Sequence, residues 1–370
     1  MDKKITFGKW EATFIIVNLI CTKIFLNFPR FMAETAGTAG WLLAIYLSVL
    51  AFIAFFIIVK LYKPFEGKDL LDIGEYIGGN AGRIIVGTIV LGFSLYIVSV
   101  ILREFSEDMK IIGLTVSPLS FVMFFFLIGI IVSSYIGVEG IARYSVIAVP
   151  IISVGFLLIL VGASAYVDFT NILPLFGNGT NAILGKGFFK ISVFSELLFL
   201  FILIPFIKTH KNFKAVGYLS IGISSVFLTL GAFVYTAVFS YPTSTESFLP
   251  IYQLSRLINY GRFFQRVESF FVIIWATAAF VYLSISFFII LYVFKKTFKL
   301  KYHRPLILPF AILTYTISLM PQGLQQAISL ETKYFRNISW VITFVITILL
   351  LLVARVVWKR RKKREEFKKL

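Results

Sequence analysis

Long apolar runs separated by short polar stretches dominate the chain. In order they lie near 10–29, 41–62, 84–105, 118–136, 144–165, 187–207, 215–239, 267–294, 304–320 and 337–357. A helix of about twenty apolar residues crosses the ~30 Å of bilayer hydrocarbon. The pattern therefore predicts an all-α polytopic membrane protein of ten transmembrane helices. It is expected to form one transmembrane domain over 1–358, with halves at 10–165 and 187–357, followed by a basic cytoplasmic tail over 359–370. Apolar residues at helical spacing over Leu70–Ile77 predict a helix lying along the membrane surface, and Gly78–Gly82 a turn. Phe248–Tyr260 predicts a second amphipathic helix beginning after Pro250.

Two of the runs break the pattern. Lys23 lies inside the first, beside Cys21 and Thr22, and Pro29 closes that run. Translocon scales set a lysine at a helix centre about 2.5–3.5 kcal/mol against insertion, so such a residue is rarely idle. Two readings of Lys23 stand: it faces a site, or its long side chain reaches for the membrane surface. Glu196 lies about midway along the sixth run, flanked by Ser192 and Ser195 and followed by Pro205. An unpaired carboxylate at that depth costs several kcal/mol or takes up a proton. Spans one and six are the first spans of the two halves and enter from opposite faces. That is the arrangement of a 5+5 inverted repeat whose interrupted helices form a midplane site.

The candidate ligand residues are accordingly Thr22, Lys23 and Ile24 in span one and Phe194, Ser195 and Glu196 in span six. Ser94 and Tyr96 of span three and Thr277 of span eight contribute, although small polar residues at such spacing also serve helix packing. Lys23 and Glu196 are expected to pair with each other or with the amino and carboxyl groups of a ligand. Arg103 and Glu104 are expected to mark the outer membrane boundary, and spans nine and ten to carry little site chemistry. A charged cluster at the outer mouth of span eight, with Tyr252, Arg256, Arg262, Arg266 and Glu268, reads either as a salt-bridge anchor or as a gating or partner contact.

Composition agrees with this class. The 370 residues are 59% apolar with a mean hydropathy of +0.91, where soluble domains average about 45–50%. The net charge of +18 would suit nucleic acid, but its distribution argues for topology instead. Counted in alternate connections, 25 Lys and Arg fall on the side holding both termini and 10 on the other, which places the termini in the cytoplasm. Cys21 is the sole cysteine and the two histidines, His210 and His303, are far apart, which argues against a disulfide framework or a metal centre. Gly179–Lys186 resembles a phosphate-binding loop, but its spacing has one residue too many and Gly187 stands where a Ser or Thr is needed. With no nucleophile–base set and no cofactor loop, neither an enzyme nor a cofactor is expected. The first run is too long and too charged for a signal peptide and reads as a retained span.

Pro250, Tyr252 and Arg256, followed by Phe264, Arg266, Glu268 and Trp275, resemble the membrane-permease (B) subunit of bacterial spore germinant receptors. Glu196, Pro205, Asn171–Pro174 and Pro29 match the same pattern, and the resemblance covers essentially the whole chain. It implies a LeuT-like fold of the amino acid–polyamine–organocation superfamily and a small germinant, most often an amino acid. It also implies an A-type membrane subunit and a C-type lipoprotein as partners in the inner spore membrane. One departure is Thr22-Lys23, where that family often has small residues; a lysine there is able to fill the space of a coupling cation. The same site serves two functions: a receptor subunit that signals through partners, or a stand-alone proton-coupled transporter with Glu196 as proton carrier.

Overall fold

A computed structural model describes residues 7–207, 209–259 and 266–367, excepting the side chains of 363–367. Arg262 lies outside the described residues. Every described element is helical, as expected where a bilayer leaves backbone groups no other partner than their own helix. Eight helical stretches are long and apolar enough to cross a membrane among the described residues, and Arg304–Leu319 is a shorter apolar helix.

The first helix is discontinuous. α1 (Lys9–Cys21) gives way to a 3₁₀ turn at Thr22–Phe25, then to non-helical backbone at Leu26 and Asn27, before α2 (Phe28–Ala36) resumes. Pro29 occupies the first turn of α2, where its missing N–H is no loss. It opens the second half-helix and does not close the first. α3 (Gly40–Tyr62) follows, presenting Ile45, Val49, Ile53 and Phe56 outward as a stripe for lipid. α4 (Leu70–Ile112) begins with the expected surface helix and bends only at Gly78 and Gly79, where Gly79 takes φ +62°; there the absence of a side chain is required.

α5 (Leu119–Ile136), α6 (Val138–Ala163) and the short α7 (Thr180–Leu184) lead to the second interrupted helix. Lys186–Phe194 is 3₁₀, Ser195 and Glu196 form a turn, and α8 (Leu197–Ile207) continues. α9 (His210–Val238), α10 (Pro250–Leu257), α11 (Val267–Thr297) and α12 (Ile307–Ser318) follow.

The last helical stretch differs most from expectation. It runs continuously from α13 (Leu324–Ser329) through a π-helical segment at Leu330–Phe335 into α14 (Arg336–Trp340). A second π-helical segment, Val341–Ile346, joins it to α15 (Thr347–Phe367). The polar residues 324–336 thus belong to a helix and not to a connection, and Glu331, Thr332 and Arg336 form its buried side. α8 is buried along most of its length, and α1, α4, α9 and α11 pack about it. At the α3–α9 contact a Cβ on Gly217 would stand 1.9 Å from the Phe55 ring, so the helices meet there through a missing side chain.

Candidate functional site

The two interrupted helices meet at a buried ionic cluster. Where α8 breaks from its 3₁₀ lead, the carbonyls of Ser192, Val193 and Ser195 each accept from a side chain elsewhere, Ser192 and Ser195 in addition to the backbone N–H groups of Ser195 and Leu198. Lys23 Nζ donates to Val193 O, Arg336 Nη1 to Ser192 O at 2.9 Å, and Thr343 Oγ1 to Ser195 O at 3.0 Å. On the first helix, Thr22 Oγ1 donates back to Asn18 O at 2.6 Å, while Asn18 Nδ2 reaches Ala278 O on α11 at 3.1 Å. Broken helices survive at membrane depth when such partners satisfy the freed backbone.

Glu196 is the centre of the charges. Its Oε2 lies 2.6 Å from Lys23 Nζ and its Oε1 3.0 Å from Arg336 Nη2. Arg336 also pairs with Glu331 at 2.6 Å and donates to Ser195 Oγ at 3.0 Å. All four charged residues are at most 5% exposed. Two cations face two carboxylates, so the group is neutral as a whole. The space against the break, lined by Asn18, Thr22, Ile24 and Phe156, is about 20 Å³, enough for one water molecule. This is therefore a closed arrangement in which Lys23 and Glu196 satisfy each other. A wider cavity of about 970 Å³ opens at the end of the molecule away from the chain termini, lined by Glu34, Asn178, Asn181, Lys186, Lys190 and Asn337. Asn337 adjoins Arg336 in sequence and Lys190 lies in the 3₁₀ segment leading to the break, but none of the four cluster residues lines this cavity.

Of the candidate residues, the structure brings Thr22, Lys23, Ile24, Phe194, Ser195 and Glu196 together, all buried. Lys23 does not reach for the membrane surface; it points inward. Ser94 is buried but donates to Val90 O within α4. Tyr96 donates to Leu330 O at 3.1 Å and stacks on Phe335, bracing the first π-helical segment. Thr277 is turned away, half-buried and bonded to Ile273 O of its own helix. Tyr252 packs against Phe271, with the Arg256 guanidinium 5.9 Å from its ring. Arg266 is exposed and Glu268 half-buried, and among the described residues no ion pair joins them.

Charged residues not expected in the interior include Arg336, Glu331, Arg103, Glu104 and Asp108. The expectation of little site chemistry in the last span fails because its helix begins earlier than the apolar run does. Glu331 and Arg336 are five apart, the spacing of partners on a π-turn, and that interval was the available signal. Arg103 and Glu104, expected at the outer membrane boundary, are both turned into the protein. Arg103 pairs with Glu107 at 2.8 Å and is buried, and Glu104 is 1% exposed with neither carboxylate oxygen bonded.

At the opposite end, Asp69 caps α4 in a reciprocal box with Asp72 and accepts from Lys296 Nζ at 2.6 Å and Tyr292 at 2.9 Å. Burial pushes the Asp69 carboxyl up to about 6, against the pull of the Lys296 ammonium. This lock ties the surface helix to the end of α11.

Comparison with known proteins agrees with this architecture. Residues 6–327 match the family described as spore germination protein. Spore germination protein YndE of Bacillus subtilis (strain 168) is 26% identical over 358 residues, covering 95% of this chain and 96% of that protein. Among solved structures, the nucleobase-cation-symport-1 family transporter MHP1, in a closed conformation with bromovinylhydantoin bound, aligns with a TM-score of 0.70. That alignment covers 96% of this chain and 94% of MHP1 at 11% identity. MhsT in complex with L-phenylalanine also gives a TM-score of 0.70, at 15% identity over 95% of this chain and 89% of MhsT. These likenesses show the fold, that of LeuT-type transporters. Arg336 and Thr343 lie beyond the matched family segment.

Proposed function

We propose, from the premise that the chain belongs to the spore germination protein family, that it is the permease-like membrane subunit of a germinant receptor. The family and the transporter-fold neighbours make it a non-enzymatic integral membrane protein. Beyond that, the reading is a ten-helix, 5+5 inverted-repeat arrangement with both termini cytoplasmic, seated in the inner spore membrane beside an A-type subunit and a C-type lipoprotein. Its germinant is small and amino-acid-like and binds where the two interrupted helices meet.

The observation that carries this reading is the 2.6 Å pair between Lys23 and Glu196. The pair places one ammonium and one carboxylate at facing helix breaks, where each is exchangeable for the opposite end of a zwitterion. In the closed arrangement they hold each other. A ligand that inserts between them replaces one buried pair with two, and stabilises the opened arrangement by its differential affinity. That change in helix packing is the signal available to partner subunits. The Arg336 guanidinium then keeps Glu196 charged and in place while Lys23 exchanges partners.

A second reading, a stand-alone secondary transporter, is favoured by the fold neighbour MHP1, which is a transporter. Robust uptake by the chain alone in liposomes selects transport over sensing. The direct test is a ligand-dependent thermal shift of the purified receptor complex across amino acids, sugars and nucleosides, repeated with Glu196→Gln. A shift found in the native protein and abolished in the variant at normal protein level supports the site. An undiminished shift in the variant sinks it.

A further inference from the structure

Two buried carboxylates of the central region, Asp108 and Glu104, form no ion pair among the described residues, and the more deeply buried is Glu104. Both of its oxygens lack a hydrogen-bond partner, and the residue is 1% exposed. An ionised carboxylate so placed is far out of equilibrium with water. Its electrostatic neighbours sharpen the problem. Asp108 stands one turn further along α4 and is itself 2% exposed, and Glu331 faces it from the last helix. The opposing Arg336 guanidinium is already engaged by Glu331 and Glu196. From α11 the only titratable group in reach is the Tyr282 hydroxyl, which is buried and likewise without a hydrogen-bond partner. Arg103, its neighbour in sequence, is held by Glu107. α5, α8 and α12, which also pack on α4, carry no charged residue. Counting Lys23 and Arg336 against Glu196, Glu331, Glu104 and Asp108, the central charges sum to minus two when all are ionised.

We propose that Glu104 is an exchangeable proton-binding site, a position that the twofold pairing of Glu196 denies to Glu196 itself. The step is simple association: a proton from bulk water adds to one carboxylate oxygen to give the neutral acid, and leaves by the same route. As the acid, Glu104 gains a donor, and the buried central region loses one of its two surplus negative charges. Asp108 lies between Glu104 and the end of α4 at Ile112, away from the chain termini, so it is the relay that joins the site to that face. The proton-carrier role expected of Glu196 thus passes to a residue on the neighbouring helix. The proposal does not depend on the germinant reading, because it concerns the protein without ligand.

Infrared spectroscopy of the purified full-length chain tests it. The native protein is expected to show a protonated-carboxyl C=O band that shifts in D₂O, disappears in Glu104→Gln, and persists in Glu196→Gln and in Asp108→Asn. Slower deuterium exchange of that band in Asp108→Asn marks the relay. Because glutamine is isosteric with the neutral acid, Glu104→Gln is expected to melt no lower than the native protein. A band that survives Glu104→Gln overturns the assignment, as does one lost in Glu196→Gln or one that never exchanges in D₂O. A band that exchanges equally fast in Asp108→Asn overturns the relay.

Discussion

Removing Lys23 and removing Arg336 should have unequal consequences, and the geometry sets the order. Breaking a buried pair by deleting one partner costs about 3–5 kcal/mol, because a charge is left uncompensated. Lys23→Met leaves Glu196 still paired to Arg336 at 3.0 Å, and strands one carbonyl, that of Val193. Its loss should fall at the lower end of that range, about 3 kcal/mol. Arg336→Met strips Glu331 of its partner, halves the support of Glu196, and removes the donor to the Ser195 hydroxyl and one of the two donors to the Ser192 carbonyl. It should reach about 5 kcal/mol or abolish folding. Charge balance gives a sharper check. The four-residue cluster is neutral; Lys23→Met leaves it at minus one and Glu196→Gln at plus one. The double variant returns it to zero, with Arg336 and Glu331 still paired. Thermal unfolding of the detergent-purified native, single and double variants forms a cycle. The double variant should melt above the value expected from adding the two single losses. Strict additivity, or a Lys23→Met protein less stable than Arg336→Met, would refute the shared-carboxylate arrangement.

Other tests address separate features. Glu196→Gln should abolish the ligand-dependent thermal shift of the receptor complex, and the C=O band of the native protein should vanish only in Glu104→Gln. Asp69 yields a pH dependence of known sign. Its folded value of about 6 lies above the ordinary carboxyl value of about 4, so the folded protein binds the proton more tightly than the unfolded chain. Its contribution to stability is complete below about 4 and is lost as the pH rises through about 6. Hydrogen exchange of the amides at 70–73 should show this loss in the native protein and not in Asp69→Asn, which keeps the helix cap; an identical pH profile in both contradicts it. Gly217→Val should destabilise by about 1–3 kcal/mol through collision with Phe55, read as a lower melting temperature; Gly222→Val, where the nearest atom is 3.7 Å away, is the control.

The parts of the site legible in the sequence are those where chemistry contradicts its surroundings. Lys23 and Glu196 stand out because ionisable groups are expensive inside apolar runs, and their positions alone point to facing helix breaks. Pro29 misled as to direction: a proline closes a helix or opens one, and only the backbone distinguishes the two. Arg336 was hidden for the opposite reason. The stretch Glu331–Asn337 looks like a polar connection, and only the π-helical turns show that it is helix, with Glu331 and Arg336 on its buried face. Glu104 was masked by Arg103, because a charged pair near the end of an apolar run resembles a membrane boundary. Hydropathy averages over such positions and cannot distinguish a residue turned inward from one turned to the headgroups. Thr277 shows the converse, a small polar residue at plausible depth whose helix happens to turn it outward.

The way the break in the sixth span is sealed also bears on biogenesis. Its carbonyls and its carboxylate are answered by residues made at very different times: Lys23 near the start of synthesis, Arg336 and Thr343 near its end. Glu331 and Arg336 share one helix and can enter the bilayer already neutralised, as a self-contained pair. Lys23 and Glu196 have no such companion on their own helices, and each must wait for the other across 173 residues. The nascent protein therefore carries a lone lysine in its first helix until the sixth is delivered, and an incompletely sealed break until the last. Truncation before residue 331 would leave the transporter scaffold nearly whole yet its centre unfinished, a species that membrane quality control is equipped to remove.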